Sequence, residues 1–560
     1  MKQRIVRDYL ESLKEDSEFD YIFPMLLNAM DFRIVATPRN SKGQSQYGKD
    51  VVAIGKDDEG ILCRWYFELK GNADKDIDNN TFNKRDGIRE SILEAKDVPY
   101  EDTSIPKFSS LPSKIVLVHN GIVKTNAHVQ FEQLIQREFP NGGFEHWDIE
   151  KLTDLFTQYL FNEALFCDNE SYSLFKKILV MMDAPGWRTD DIDKLIDFQL
   201  AYCPTNKKSS RLLVKCFNAI NLALSMILHY SQECDNLLPA KKTSDRVVLK
   251  LWTWILRNKK ENNTKVIGLF SRIVELHLAI YSLYLQKTIP LATSYKGLYM
   301  MHGTDTEKVC YPLRCYDFMN DLLYYFIAYD VFCPIVTKST VRQQIDVLNA
   351  VIKSNTGLDV PLLDTNAITT QLLIWFVMCH EHDESDEIVI FDHIQRLALN
   401  TIIRKRDDNM FPELYGNRIQ VAKSLYKKSP EYQDSSSLYL MILVEIIAWM
   451  ECEPLYKMLR DKIEEAKVNL QVSYPIESET LEYNLFDHKL HNEQSVQTNI
   501  KLPESIDEFK RTYRKKYNHI DLRTDKTRFW FLKILAHVHY ETDLFPDFLQ
   551  LGFCEPITEN

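Results

Sequence analysis

Glu68 and Lys70 stand two residues apart at the end of an aromatic, β-branched run, and Asp50 opens another such run shortly before it. Side chains in a strand alternate between faces, so Glu68 and Lys70 share one face while Phe67 and Leu69 take the other. The stretch 48–71, GKDVVAIGKDDEGILCRWYFELKG, reads as two strands joined by an acidic turn, and a hairpin of that kind carries Asp50 across to the polar face. Two carboxylates and a lysine at a strand end are a set suited to phosphodiester hydrolysis. A hard divalent cation such as Mg²⁺ or Mn²⁺ takes one or two carboxylates, with water and substrate phosphate in its other positions. It polarises a phosphoryl oxygen and makes a bound water more acidic, while a neighbouring lysine orients that water or stabilises developing charge. A Glu-x-Lys pair on a strand also occurs as a solvated surface ion pair, so the triplet carries weight only through its surroundings.

Those surroundings follow from periodicity. Residues 1–17 read as a short charged helix. Over 18–30, Phe19, Ile22, Phe23, Leu26, Leu27 and Met30 recur at helical spacing, with Pro24 in the first turns and Asp20 on the polar side. Residues 32–37 read as a strand and 38–43, which include Lys42, as a polar turn. After the hairpin, 86–96 is helical, with Arg85 just before it and Arg89 in its first turn. The stretch 98–112 is a loop, 114–119 a buried strand, 127–139 a helix, 144–149 a strand and 150–161 a helix. This order predicts an α/β domain, a central mixed sheet flanked by helices.

The run from Phe19 through Lys70, with Asp20 in its helix, RIVATPRN leading into the hairpin, Gly48-x-Asp50 and Glu68-Leu69-Lys70, resembles the PD-(D/E)xK nuclease superfamily. It is most similar to the Mrr-like restriction endonucleases and the related nuclease domains of bacterial antiphage-defence proteins. The resemblance covers about the first 160 residues and rests on order and spacing rather than on a long fixed string. It implies that Asp50 and Glu68 are metal-binding carboxylates, that the Leu69 carbonyl joins them, and that Lys70 is the catalytic lysine. Asp20 stands where such proteins carry an acidic metal ligand on the first helix, with Glu18 as the alternative. Lys49 occupies the position before Asp50 where the superfamily often has Pro. Arg85 and Arg89 are the candidates for contacting the scissile phosphate.

From about Cys167 the strand signals fade and helical stripes take over, at 211–230, 245–257, 265–286, 313–331, 340–353, 369–379, 387–405, 435–451 and 528–540. No repeat period is visible, so the expectation is an all-α region over 166–560, in one or two lobes, after a nuclease domain over 1–165. Within it, 510–528 interleaves basic residues, Arg514, Lys515 and Lys516 among them, with Tyr513 and Tyr517. Such a run neutralises phosphates and stacks on bases, or is a solvated helix face. The His- and acid-rich stretch 379–384 matches no zinc spacing and reads as an exposed loop. There is no phosphate-binding glycine-rich loop to suggest ATP hydrolysis.

The 560 residues carry a net charge of −12, so any nucleic-acid surface is local. The first residues lack the apolar core of a secretory signal, and the apolar run 438–450 is short and broken by Glu445. Eleven cysteines without paired short spacing, apart from Cys310 and Cys315, fit free thiols in a reducing cytoplasm.

Together these readings predict a cytoplasmic, Mg²⁺- or Mn²⁺-dependent DNA endonuclease with Lys42, Arg85, Arg89, Arg514, Lys515 and Lys516 as nucleic-acid contacts. Its helical region would bind a protein partner or a second copy and restrain the nuclease, as in antiphage effectors. The competing expectations are a repair or recombination nuclease acting on branched DNA, and a catalytically silent nucleic-acid-binding or scaffold protein.

Overall fold

The structure, a computed structural model, describes residues 2–37, 47–71, 74–85, 87–102, 105–162, 166, 168–182, 189–203, 210–300, 304–333, 337–408, 412, 418, 419, 421, 422, 436–476, 478–487, 494–513 and 522–540. The chain divides into two compact units, Met1–Val247 with Gly268–Leu276, and Val248–Ile267 with His277–Asn560.

The first unit is built on a five-stranded mixed sheet. Its strands are β1 (Arg33–Ala36), β2 (Val51–Lys56), β3 (Leu62–Lys70), β4 (Ser113–His119) and β5 (Phe144–Trp147), lying in sequence order across the sheet. β1 to β3 run antiparallel, while β3–β4 and β4–β5 are parallel. Parallel neighbours need crossovers, and these are α3 (Asn79–Asn83) with α4 (Ile88–Asp97), then α5 (Thr125–Glu138). Before and after the sheet come α1 (Lys2–Ser12), α2 (Asp20–Ala29) and α6 (Ile149–Tyr159). β5 ends two residues earlier than 144–149 suggests, because Asp148 turns its carboxylate to the Glu150 and Lys151 amides and caps α6.

Alternation sorts the two faces. Toward α4 and α5, Val52, Ile54, Tyr66 and Ile115 pack on Ala95 and Phe108, while Leu117 joins Ile88, Ile92, Phe131 and Leu134. On the other face Trp65 and Phe67 stack, and Phe67 meets the rings of Phe23 in α2 and of Trp147. The hairpin turns through Asp57, whose Oδ1 accepts from the Glu59 and Ile61 amides, and Gly60 at φ +81°.

Gly48 brings the chain into β2 beneath α4. Its φ is +69°, and a Cβ there would lie 2.1 Å from the Ser91 carbonyl oxygen. Gly48→Ala combines a strained backbone with a main-chain clash, so it is expected to cost about 3 kcal/mol. Denaturant unfolding followed by tryptophan fluorescence measures this; an unchanged midpoint would contradict the packing described.

The first unit continues through α7 (Asn169–Met181), α8 (Asp190–Ala201) and α9 (Ser210–Glu233). The chain then runs on in helices: α10 (Leu238–Arg257), α11 (Thr264–Ala292), α12 (Thr304–Phe332), α13 (Lys338–Ser354), α14 (Asn366–Cys379), α15 (Glu384–Asp408), α16 (Leu438–Trp449), α17 (Glu453–Glu465), α18 (Leu481–Asp487), α19 (Ile506–Tyr513) and α20 (Leu532–Tyr540). The predicted helical character of this region holds among the described residues, apart from β6 (Gln471–Pro475), which pairs antiparallel with β7 (Gln494–Thr498). The apolar residues Val472 and Tyr474 of β6 continue a two-residue spacing begun at Val468 and Leu470, the period of a strand, with Gln471 buried among them. Residues 380–383 are the loop expected between α14 and α15.

Two helical segments, Arg211–Glu233 and Thr264–Ala292, are long and apolar enough to cross a membrane, but 72% and 61% of their apolar windows are buried inside the protein, as in core helices. The described cysteines form no disulfide.

Candidate active site

Antiparallel pairing sets Val51 opposite Phe67 and Val52 opposite Tyr66. Continued one residue past the start of β2, this register puts Asp50 opposite Glu68, and alternation places both, with Lys70, on the α4 side of the sheet. Asp50 takes over the ladder where β2 has not yet begun: its Oδ2 accepts from the Leu69 N–H at 2.7 Å. The N–H and C=O of one strand residue point to the same edge, so the Leu69 carbonyl also faces the Asp50 side. Glu68 is 4% exposed, and its Oε1 lies 2.6 Å from Lys70 Nζ.

A third carboxylate arrives from the α1–α2 connection. Residues Glu15–Phe19 form a π-helical turn, and Glu15 Oε2 accepts from the Gly71 N–H at 2.7 Å, just beyond β3. Gly71 permits this approach, since a Cβ there would stand 3.0 Å from the Glu15 backbone nitrogen and Cβ. Single π turns are frequent at functional sites.

The electrostatics join these four groups. Burial raises the Glu15 carboxyl above its ordinary range, opposed by Lys70 and the Gly71 amide. Burial and then the charge of Glu68 push Asp50 well above its ordinary value, although Lys70 and the Leu69 amide pull it down. Burial draws Lys70 down, but Glu68, Glu15 and Asp50 together outweigh it and hold the ammonium above its ordinary value. Lys70 is therefore a lasting cation at neutral pH, beside more carboxylate than one ammonium neutralises.

Lys49, next to Asp50, is 6% exposed and donates to the carbonyls of Val98 at 2.5 Å and Tyr47 at 3.3 Å. Burial lowers its pKa from 10.5 to about 8, against the pull of Glu68 and Glu94. A lysine whose folded pKa is depressed gives a folded state that binds fewer protons than the unfolded chain between the two values. Stability should therefore rise as pH goes from about 8 to about 10.5, by an amount of order 3 kcal/mol at most. Comparing wild type with Lys49→Met in urea unfolding at pH 7.5 and pH 10 isolates the effect, and parallel pH dependence in the two proteins would refute it.

On the same face, His119 is the parallel partner of Lys70 across β3 and β4. Its Nδ1 lies 2.7 Å from the Lys75 carbonyl, which only accepts, so the imidazole donates there and its Nε2 accepts from His146 Nε2 at 2.7 Å. Burial and His146 bring His119 down to about 4, and burial lowers His146 as well. The site thus borders on two neutral, hydrogen-bonded imidazoles.

Of the residues singled out by sequence, Asp50, Glu68, Leu69 and Lys70 come together at the end of β3. Asp20 opens α2 and is half-buried. Glu18 turns to Lys215 Nζ at 2.6 Å and to the Lys14 amide at 2.8 Å. Arg85 and Arg89 are exposed around the start of α4. Lys42, Arg514, Lys515 and Lys516 lie outside the described residues. Glu15 and the histidine pair escaped the sequence reading, which took Lys49 only as a departure from the usual Pro. The available signal for Glu15 was the acidic run EDSE where the apolar helical spacing breaks between Leu13 and Phe19.

Glu15, Asp50, Glu68 and the Leu69 carbonyl are all-oxygen donors, the set a hard divalent cation takes. Burial first, and then the charge of Glu68, raise the Asp50 carboxyl, and a bound cation would offset both. As they stand, the carboxylates face the protein's own donors, and no group of three or more His, Cys, Asp or Glu is in ligating geometry among the described residues. Compared with protein-family models, curated proteins and solved structures, the chain matches none.

Proposed function

We propose that residues 1–165 are a metal-dependent nuclease domain of the PD-(D/E)xK kind that hydrolyses DNA phosphodiesters, and that 166–560 form its regulatory, partner-binding region. The observation that carries this reading is the meeting of Asp50, Glu68, Lys70 and Glu15 at one strand end, where burial and Glu68 raise the Asp50 carboxyl above its ordinary value. A purely structural ion cluster gains from balanced charge, whereas surplus buried carboxylate costs stability and is retained for what it binds.

In this reading Asp50, Glu68 and the Leu69 carbonyl hold Mg²⁺ or Mn²⁺, with Glu15 as a further oxygen donor. The bound ion would polarise the scissile phosphate and acidify the attacking water. Lys70 remains charged, so it serves by position, donating to the water or to a phosphate oxygen as negative charge grows, rather than by taking a proton. Arg85 and Arg89, which are exposed, are the residues that would pair with DNA phosphates in this reading. A nuclease able to cut its host's DNA must be restrained, which favours a cytoplasmic defence effector that cuts slowly alone and is accelerated by a trigger acting on the helical region.

Calorimetric titration of Mn²⁺ into the full chain tests the metal site. Binding should tighten as pH rises, because Asp50, its carboxyl raised by burial and by Glu68, must give up its proton to ligate. Absence of binding, or an affinity independent of pH, would count against it.

A further inference from the structure

α9 carries Arg211, Lys215 and Asn218 at i, i+4 and i+7, which places the three on one face of the helix. Each reaches the segment that precedes the sheet. Arg211 Nη2 donates to the Leu13 carbonyl at 2.7 Å, Asn218 Nδ2 to the Asp8 carbonyl at 2.7 Å, and Lys215 Nζ pairs with Glu18 Oε1 at 2.6 Å. Glu18 Oε2 in turn accepts from the Lys14 N–H at 2.8 Å. The two ends of the π turn are thus joined through one carboxylate, and that carboxylate is held by α9. From the sheet side, Asn120 at the end of β4 donates to the Leu10 and Leu13 carbonyls at 2.8 and 3.1 Å.

Between the two gripped points, Leu13 and Glu18, lies Glu15. A π turn is a less common backbone form than an α or 3₁₀ turn and needs outside support to persist. Cutting the support should free the turn, and Glu15 with it, while leaving the strands that carry Asp50, Glu68 and Lys70 in place.

We propose that Lys215, through its ion pair with Glu18, is a positioning residue for the active site: α9 sets where the Glu15 carboxylate stands against the end of β3. The proposal rests on the nuclease reading for its catalytic consequence and on geometry alone for the positioning. It gives the helical part of the chain a physical hold on the site, because any partner that shifts α9 shifts Glu15.

Lys215→Met in the full chain tests it, beside Lys215→Arg and Glu18→Gln. Hydrogen exchange at the Gly71 amide, which Glu15 accepts, reports positioning without any need for activity. The expected results are exchange about tenfold faster in Lys215→Met, restored in Lys215→Arg, and a Mg²⁺ requirement for half-maximal cleavage raised about tenfold with the rate at saturating metal little changed. Glu18→Gln should reproduce both effects, and the double variant should be no worse than either single one, since both cut the same link. Unchanged exchange at Gly71, or additive effects of the two variants, would overturn the positioning. Faster exchange with an unaltered metal requirement would overturn its catalytic role. Faster exchange in a protein whose wild type cleaves nothing with any metal would uphold the positioning and sink the nuclease reading instead.

Discussion

Lys70→Met is expected to slow metal-dependent DNA cleavage by roughly 10²–10³-fold while the sheet stays folded. Methionine keeps much of the lysine stem, so the packing of the side chain against β3 changes little. What disappears is the one charge that Glu68 holds at 2.6 Å and that Glu15 and Asp50 also stabilise. Because Lys70 keeps its proton, its loss should lower the rate at every pH rather than move a pH optimum. Without it, the three carboxylates have only protons for neutralisation, and the metal-free variant should bind more of them at neutral pH than wild type. Lys70→Arg should rescue poorly, since a planar fork does not replace a compact ammonium at this position. The rate of plasmid nicking at saturating Mg²⁺ is the measurement, and circular dichroism controls for folding. A variant that nicks as fast as wild type removes Lys70 from the chemistry.

Asp50→Asn should have opposite effects on function and on stability. The folded carboxyl titrates above its ordinary 3.8, so between that value and its raised one the folded protein holds a proton that the unfolded chain has lost. Stability of wild type therefore falls as pH rises through that window, and the asparagine variant escapes the fall. Asparagine can still accept from the Leu69 amide through its carbonyl oxygen, so the hydrogen bond at 2.7 Å survives. The variant should match wild type below about pH 4 and be the more stable of the two at neutral pH, while losing Mn²⁺ binding and cleavage. Urea unfolding at pH 4 and pH 7 with metal chelated decides the matter. A variant less stable than wild type at pH 7 would mean that the carboxylate is a structural partner, and the argument for a metal-binding role would lose its main support.

The parts of this site legible in sequence are those that depend on local periodicity. Glu68 and Lys70 share a face because strand residues alternate, and Asp50 joins them because a short acidic turn leaves little freedom in hairpin register. Glu15 was out of reach for a different reason. It meets the sheet 56 residues away in the chain, at Gly71, and it points there only because a π turn interrupts what reads as continuous charged helix. Lys49 was legible only as a departure from the usual proline; that it is buried depends on the cover of α4 and the carbonyl of Val98. The pairing of His119 with His146 required knowing that β4 and β5 are parallel neighbours, with Leu117 opposite His146. In the helical region the helices themselves were legible, because apolar residues recur at three- and four-residue steps. The strand pair β6–β7 was missed for another reason: Val468, Leu470, Val472 and Tyr474 do alternate with polar residues, a strand signal overshadowed by the helical stripes on either side.

The central claim is that this strand end hydrolyses DNA with a divalent metal. Its most direct test is cleavage of supercoiled, linear, branched and single-stranded DNA, and of RNA, by wild type and Lys70→Met side by side, each with Mg²⁺, Mn²⁺ or EDTA. The account predicts that wild type cuts duplex DNA with either metal, that EDTA stops it, and that Lys70→Met is at least about a hundredfold slower. Equal cutting by the two proteins, or cutting that survives EDTA, would contradict it.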